Sequence, residues 1–114
     1  MANTFKKAIK SNVTNNAITH ADAVVHTGSN DTVIIGLTVS NKISSGVTID
    51  VAYEDVSASN LVVYILKDAP VPVGGGQVPV GGDQKVVLET GDKLRVRASQ
   101  ASACDAIVSY LEIS

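Results

Sequence analysis

Thr32-Val33-Ile34-Ile35-Gly36-Leu37-Thr38-Val39-Ser40-Asn41 is the stretch that decides the fold class. Val33, Ile35, Leu37 and Val39 fall on one side of an extended chain, and Gly36, Thr38 and Ser40 fall on the other. Beyond a Ser44-Ser45-Gly46 turn the pattern resumes. Val47, Ile49, Val51 and Tyr53 alternate with Thr48, Asp50, Ala52 and Glu54. Two alternating strands joined by a short turn predict an antiparallel hairpin.

Working outward, Ala17 to Thr27 is a predicted strand closed by a Gly28-Ser29-Asn30-Asp31 turn, and the Asn-rich segment Ser11 to Asn16 reads as a loop. Thr4 to Ser11 sets Phe5 and Ile9 among lysines. Leu61 to Leu66 is continuously apolar, which predicts a strand buried on both faces or one whose second face a partner covers. Lys85 to Leu88 and Lys93 to Ala98 flank Glu89-Thr90-Gly91-Asp92, a second hairpin signal. Asp105 to Ile113 closes the series, with Ala106, Val108 and Tyr110 on one face and Ile107, Leu111 and Ile113 on the other. About eight strands at roughly 8–12-residue spacing predict an all-β fold, an antiparallel β-sandwich. Eight strands in two sheets favour a jelly-roll-like order. An immunoglobulin-like sandwich is the alternative, although its Cys, Trp and Cys pattern is absent. Residues 1–16 read as a basic N-terminal arm, or a first strand plus loop, ahead of a single β-sandwich domain over residues 17–114.

Composition agrees with that reading. The chain has 114 residues, of which 18 Val, 9 Ile and 8 Thr are β-branched, a bias suited to pleated, half-buried surfaces. Hydrophobic residues make up 45%, which excludes global disorder. Nine basic against eleven acidic residues give no general attraction for phosphate, and four aromatics are too few for a base-stacking platform, so nucleic acid is not an expected partner. No apolar run approaches the roughly 20 residues of a membrane span, and the start lacks the apolar run of a secretory signal, so no membrane partner is expected. A single cysteine, Cys104, precludes an internal disulfide and reads as a small buried residue of a protein made in a reducing cytoplasm.

Val71 to Gln84 is a tandem repeat. VPVGGGQ at 71–77 is followed by VPVGGDQ at 78–84, the copies differing only at Gly76 and Asp83. Two copies are too few for a solenoid. Pro72 and Pro79 lack an amide donor, so the repeat reads as two extended edge pieces joined by Gly74-Gly75-Gly76. Gly82 leads into Asp83-Gln84-Lys85 and a strand instead of the helix that a phosphate-binding loop needs.

No residue set marks a reaction. His20, Asp22 and His26 share a face if Ala17 to Thr27 is regular, but at about 3.3 Å per residue the two histidines stand roughly 20 Å apart and cannot share one ion. Glu54-Asp55 and Glu89 with Asp92 lie at strand ends or turns, where carboxylates solvate and cap. No GxSxG elbow occurs. The chain therefore reads as no enzyme, with no catalytic, cofactor or metal residues and no cofactor. The first acid is Asp22, so Lys6, Lys7 and Lys10 form a basic cluster able to dock on an acidic neighbour. These lysines and Gly74, Gly75 and Gly76 are the candidate protein-interaction residues.

One ordered series carries a resemblance. It runs through Pro70-Val71-Pro72, Gly81-Gly82-Asp83-Gln84-Lys85, Val87-Leu88-Glu89-Thr90-Gly91-Asp92-Lys93-Leu94-Arg95-Val96 and Asp105-Ala106-Ile107-Val108-Ser109-Tyr110-Leu111-Glu112. With Thr32 to Asn41 it resembles the small virion accessory proteins of tailed phages, of the cyanophage and marine-phage type. The resemblance covers most of residues 25–114, and its motifs are strand-and-turn chemistry. It implies a structural protein located in the virion and made in the host cytoplasm. The expected role is a capsid decoration or cement protein that binds neighbouring subunits of the major capsid protein, as a homo-trimer. The alternatives are a neck or tail accessory that binds neck or tail proteins and, from another class, a carbohydrate-binding module for host surfaces. The near-perfect heptad duplication departs from the pattern of those proteins.

Overall fold

The computed structural model describes residues 3–81 and 85–113. Nine strands form two antiparallel sheets: β1 (Thr4–Lys10), β2 (Val24–Thr27), β3 (Thr32–Asn41), β4 (Val47–Asp55), β5 (Leu61–Val71), β6 (Gly76–Val80), β7 (Val86–Leu88), β8 (Lys93–Ala98) and β9 (Cys104–Glu112). Sheet A runs β1-β9-β3-β6, with β7 also on β3, and sheet B runs β2-β8-β4-β5.

The pairing is nested. β4 with β5 forms the innermost hairpin, then come β3 with β6 and β7, β2 with β8, and β1 with β9. A long antiparallel ribbon paired in that way and rolled up is a jelly roll, its turns sealed by β9 on β3 and β8 on β4. The immunoglobulin-like alternative keeps its first two strands in one sheet, whereas here β1 and β2 are in different sheets. The ninth strand arises because β7 pairs with Thr32 to Ile34 and β6 with Leu37 to Ser40, together doing the work of one strand.

Two expected hairpins are not hairpins. β3 and β4 lie in opposite sheets, and so do β7 and β8. Their short connections arch across the core, so each apolar face packs on the other while the ladder hydrogen bonds go to strands distant in sequence. Alternation fixes which face is apolar and is silent on the partner. β3 departs from simple alternation too. Its register against β9 shifts between Ile34 and Gly36. This bulge turns Ile34, Leu37 and Val39 into the core and leaves Val33 and Ile35 part-exposed.

The core between the sheets is built from Ile34, Leu37 and Val39 of β3, Ile49 and Val51 of β4, Leu94 and Val96 of β8, and Ala106, Val108 and Tyr110 of β9. Val13 belongs to it as well. Its N–H donates to the Cys104 carbonyl at 2.8 Å, which anchors the loop after β1.

Leu61 to Leu66 is not buried on both faces. It begins the edge strand β5, and Leu61, Val63 and Tyr64 are exposed. Nor is Ala17 to Thr27 one strand. The chain makes a 3-10 turn at Ala21–Ala23 before β2, capped by His20, whose Nδ1 accepts from the Asp22 N–H at 3.1 Å. Thr4–Lys10 is an edge strand of sheet A, in register with β9 over its whole length.

Candidate interaction surface

The two outer faces of the sandwich differ. The chain covers much of sheet B itself. Ile18 and Ala23 pack on Ala52 and Val62, a small second core outside the sheet. Two arginines hold that crossing segment down. Arg95 Nη1 donates to the Ile18 and His20 carbonyls at 3.1 and 2.8 Å. Arg97 donates to the carbonyls of Asn15 and Asn16 at 3.0 and 2.9 Å. Each arginine is matched by a buried acid of β4, Glu54 to Arg95 and Asp50 to Arg97. Burial pushes the Asp50 carboxyl up, but the Asp68 N–H at 2.8 Å, Arg97 and Lys67 together hold it below the usual carboxylate range.

Among the described residues nothing covers the outer face of sheet A. Phe5, Leu111, Val33 and Val87 are register partners in turn, an apolar row across four strands. Ile9, Ile107 and Thr38 form a second row by the same pairing. Between them run Lys7, Ser109 and Gly36. Phe5 is 76% exposed, Ile9 68% and Ile107 52%, so the face is apolar yet unburied. A shallow groove of about 330 Å³ opens there, lined by Phe5, Lys6, Lys7, Ile35, Ser109 and Tyr110.

The six candidate contact residues divide between the two edges of sheet A. Lys6 is tied to Glu112 at 2.9 Å, which raises the ammonium and lowers the carboxyl from their ordinary values. Lys7 lies on the outer face between Phe5 and Ile9. Lys10 stands level with Ala106, Val39 and Gln77, so it and Gly76 flank the same end of the sheet. Three strand spacings, about 14 Å, separate them.

The glycines serve the turn between β5 and β6. The Gly75 N–H donates to the Pro72 carbonyl at 2.9 Å, and Gly74 sits at φ 72°. That is the position of a type II turn which favours glycine. Gly76 begins β6, where a Cβ would stand 2.9 Å from the Val39 carbonyl oxygen. Thus the first heptad ends β5, turns and begins the edge strand β6 with Gly76 and Gln77, and the second continues it through Val80. Gly82, Asp83 and Gln84, which complete the second copy, lie outside the described residues.

The chemistry-bearing residues are held in structural contacts. The 3-10 turn separates His20 and Asp22 from the β2 face that carries His26. The His26 ring lies 4.2 Å from that of Tyr110, and its Nε2 is buried without a hydrogen-bond partner. Burial holds this imidazole below its ordinary value, against the pull of Glu112. Cys104 is buried, and burial pushes its thiol up. Asp92 is buried as well. It accepts from Tyr53 Oη at 2.6 Å and from the N–H groups of Glu89 and Val56 at 3.0 and 3.1 Å. Among the described residues no three His, Cys, Asp or Glu side chains gather as a metal site, and no helix is long and apolar enough to cross a membrane.

Sequence reasoning singled out the basic cluster and missed the apolar rows. Those rows join residues from four separate strands, and only the register assembles them. The exposed alternation of Phe5 and Ile9 was the local signal. Comparison of the chain with protein families, with characterised proteins and with solved structures finds no match.

Proposed function

We propose that this chain is a non-enzymatic structural protein of a tailed-phage virion, a decoration or cement protein that binds neighbouring subunits of the major capsid protein as a homo-trimer. The observation that carries the reading is the asymmetry of the sandwich. The chain's own loop covers much of sheet B, leaving Leu61, Val63 and Tyr64 of its edge strand exposed, while among the described residues nothing covers the outside of sheet A, where Phe5, Ile9, Ile107, Leu111 and Val87 face outward. A rigid core with one open apolar face suits passive binding. Binding only the assembled shell stabilises it by linkage, with no bond made or broken. The resemblance of most of residues 25–114 to virion accessory proteins supports a partner in the virion, on the head or at the neck and tail.

The test is copy number and position on purified virions, by quantitative mass spectrometry and antibody labelling. Hundreds of copies on the head are expected. Tens or fewer at one vertex would move the protein to the neck or tail, and absence from the virion would overturn the reading. Phe5→Ser and Ile107→Ser, both at exposed positions, should preserve the fold and lower occupancy.

A further inference from the structure

A sandwich of two open sheets has free edges, and a free edge is a template for another strand. Most of the edges here carry backbone features that spoil it. β2 has four residues and a register shift between Val24 and His26. β5 has two register shifts against β4, contains Pro70, and holds Asp68 at φ 51°. β6 contains Pro79, and β7 has three residues. β1 has none of these features. Its seven residues pair with β9 without a shift, and it contains no proline.

Its side chains discriminate between occupants. Lys6 is neutralised by Glu112, but among the described residues Lys7 and Lys10 have no ion-pair or hydrogen-bond partner for their ammonium groups. A second copy paired over the full strand would set Lys7 opposite Lys7, and like charges directly opposite are destabilising. An acidic strand would instead find a cation at the middle of the edge and another at its end. On the outer face the order is Phe5, Lys7, Ile9, so a matching strand reads apolar, acidic, apolar at alternate positions. Its apolar residues would lengthen the two rows on sheet A by one strand.

We propose that the free edge of β1 accepts an extended acidic segment of a partner protein as an added strand of sheet A. Main-chain hydrogen bonds to Thr4–Lys10 hold the segment, and a carboxylate facing Lys7, flanked by apolar side chains over Phe5 and Ile9, selects it. The inference concerns how a partner is gripped and does not depend on which assembly the chain serves.

The experiment uses the full chain and synthetic peptides in which Thr alternates with Val, Glu and Val. Control peptides replace Glu by Gln or by Lys, and a fourth carries N-methyl groups on alternate amides of the Glu peptide. Binding is read by fluorescence anisotropy, and the site by amide exchange. The Glu peptide should bind about tenfold more tightly than the Gln peptide, a difference of about 1.4 kcal/mol. It should slow exchange within Thr4–Lys10, and N-methylation should abolish binding. The double variant Lys7→Glu, Lys10→Glu breaks no ion pair and should prefer the Lys peptide. Any of four results overturns the proposal. These are no binding of the Glu peptide at millimolar concentration, equal binding of the three charge types, undiminished binding of the N-methylated peptide, or a homodimer protected at Thr4–Lys10 without peptide.

Discussion

Arg95 Nε donates to Glu54 Oε1 at 2.6 Å, and both side chains are buried beneath the segment that crosses sheet B. The pair joins β8 to β4, and through the Ile18 and His20 carbonyls it joins both to the connection between β1 and β2. Removing Arg95 leaves buried Glu54 with only the longer ion pair to Lys93 at 3.9 Å, so Arg95→Ala should cost about 3 kcal/mol in urea denaturation. Replacing both, as Glu54→Leu with Arg95→Met, should recover much of that loss. The crossing segment would still be released, giving faster amide exchange at Ile18 and Ala23.

Tyr53 and Asp92 tie β4 to the turn before β8. The phenolic oxygen lies 2.6 Å from both Asp92 Oδ2 and the Val87 carbonyl, and burial together with the Asp92 charge pushes the phenol well above its ordinary value. Tyr53→Phe should cost about 1–2 kcal/mol in chemical denaturation.

Burial pushes the Asp92 carboxyl up, but Tyr53 and the N–H groups of Val56 and Glu89 outweigh it and hold the group below its usual range. Because the folded value is depressed, the unfolded chain takes up the proton first. The contribution is complete above the unfolded value of about 3.9 and is lost as pH falls through the folded one. Asp92→Asn should be less stable at neutral pH and flatten the acid limb of the stability profile.

His26 titrates with the same sign in a higher window. Its folded value is lowered by burial, so the unfolded chain gains the proton first as pH falls below about 6.5. Stability drops from there until the folded imidazole itself protonates. Tyr110 lies against it and the Glu112 charge acts on it, and Glu112, paired with Lys6, stays ionised through this range. His26→Phe keeps a ring against Tyr110 and removes the buried nitrogen. Its melting temperature should match that of the natural chain at pH 7.5 and exceed it at pH 5.

Gly74 and Gly76 should fail for different reasons. Gly74→Ala meets no atom within 4 Å and suffers only its positive φ, about 1–2 kcal/mol. Gly76→Ala drives a methyl group against the Val39 carbonyl oxygen, where backbone must move. It should cost more in thermal unfolding, with lost amide protection confined to β6 and its partner stretch of β3.

Much of the interior was readable from local pattern. Leu37 and Val39, and Ile49 and Val51, point inward as their alternation requires, whereas β9 is apolar on both faces in the sequence and only the fold turns Ala106, Val108 and Tyr110 inward. Ile34 escaped because a bulge reverses the pleat, and Gly36 inside the strand was its one local sign. The 3-10 turn at Ala21–Ala23 escaped because His20 caps it in place of the usual Ser, Thr, Asp or Asn.

The sequence by itself determined that the chain is all-β, where most strands run, and which of their faces are apolar. These follow from side-chain type and a period of two, which are properties of neighbouring residues. Tertiary structure alone decided that β3 and β4, close in sequence, part to opposite sheets while β1 finds β9 across the length of the chain. It also decided that the outer face of sheet B is partly covered by Ile18 and Ala23 while that of sheet A presents its apolar rows. Alternating strands offer the same hydrogen-bonding edge to many partners. The choice among them is made by summed burial over the whole core, which no short window of sequence contains.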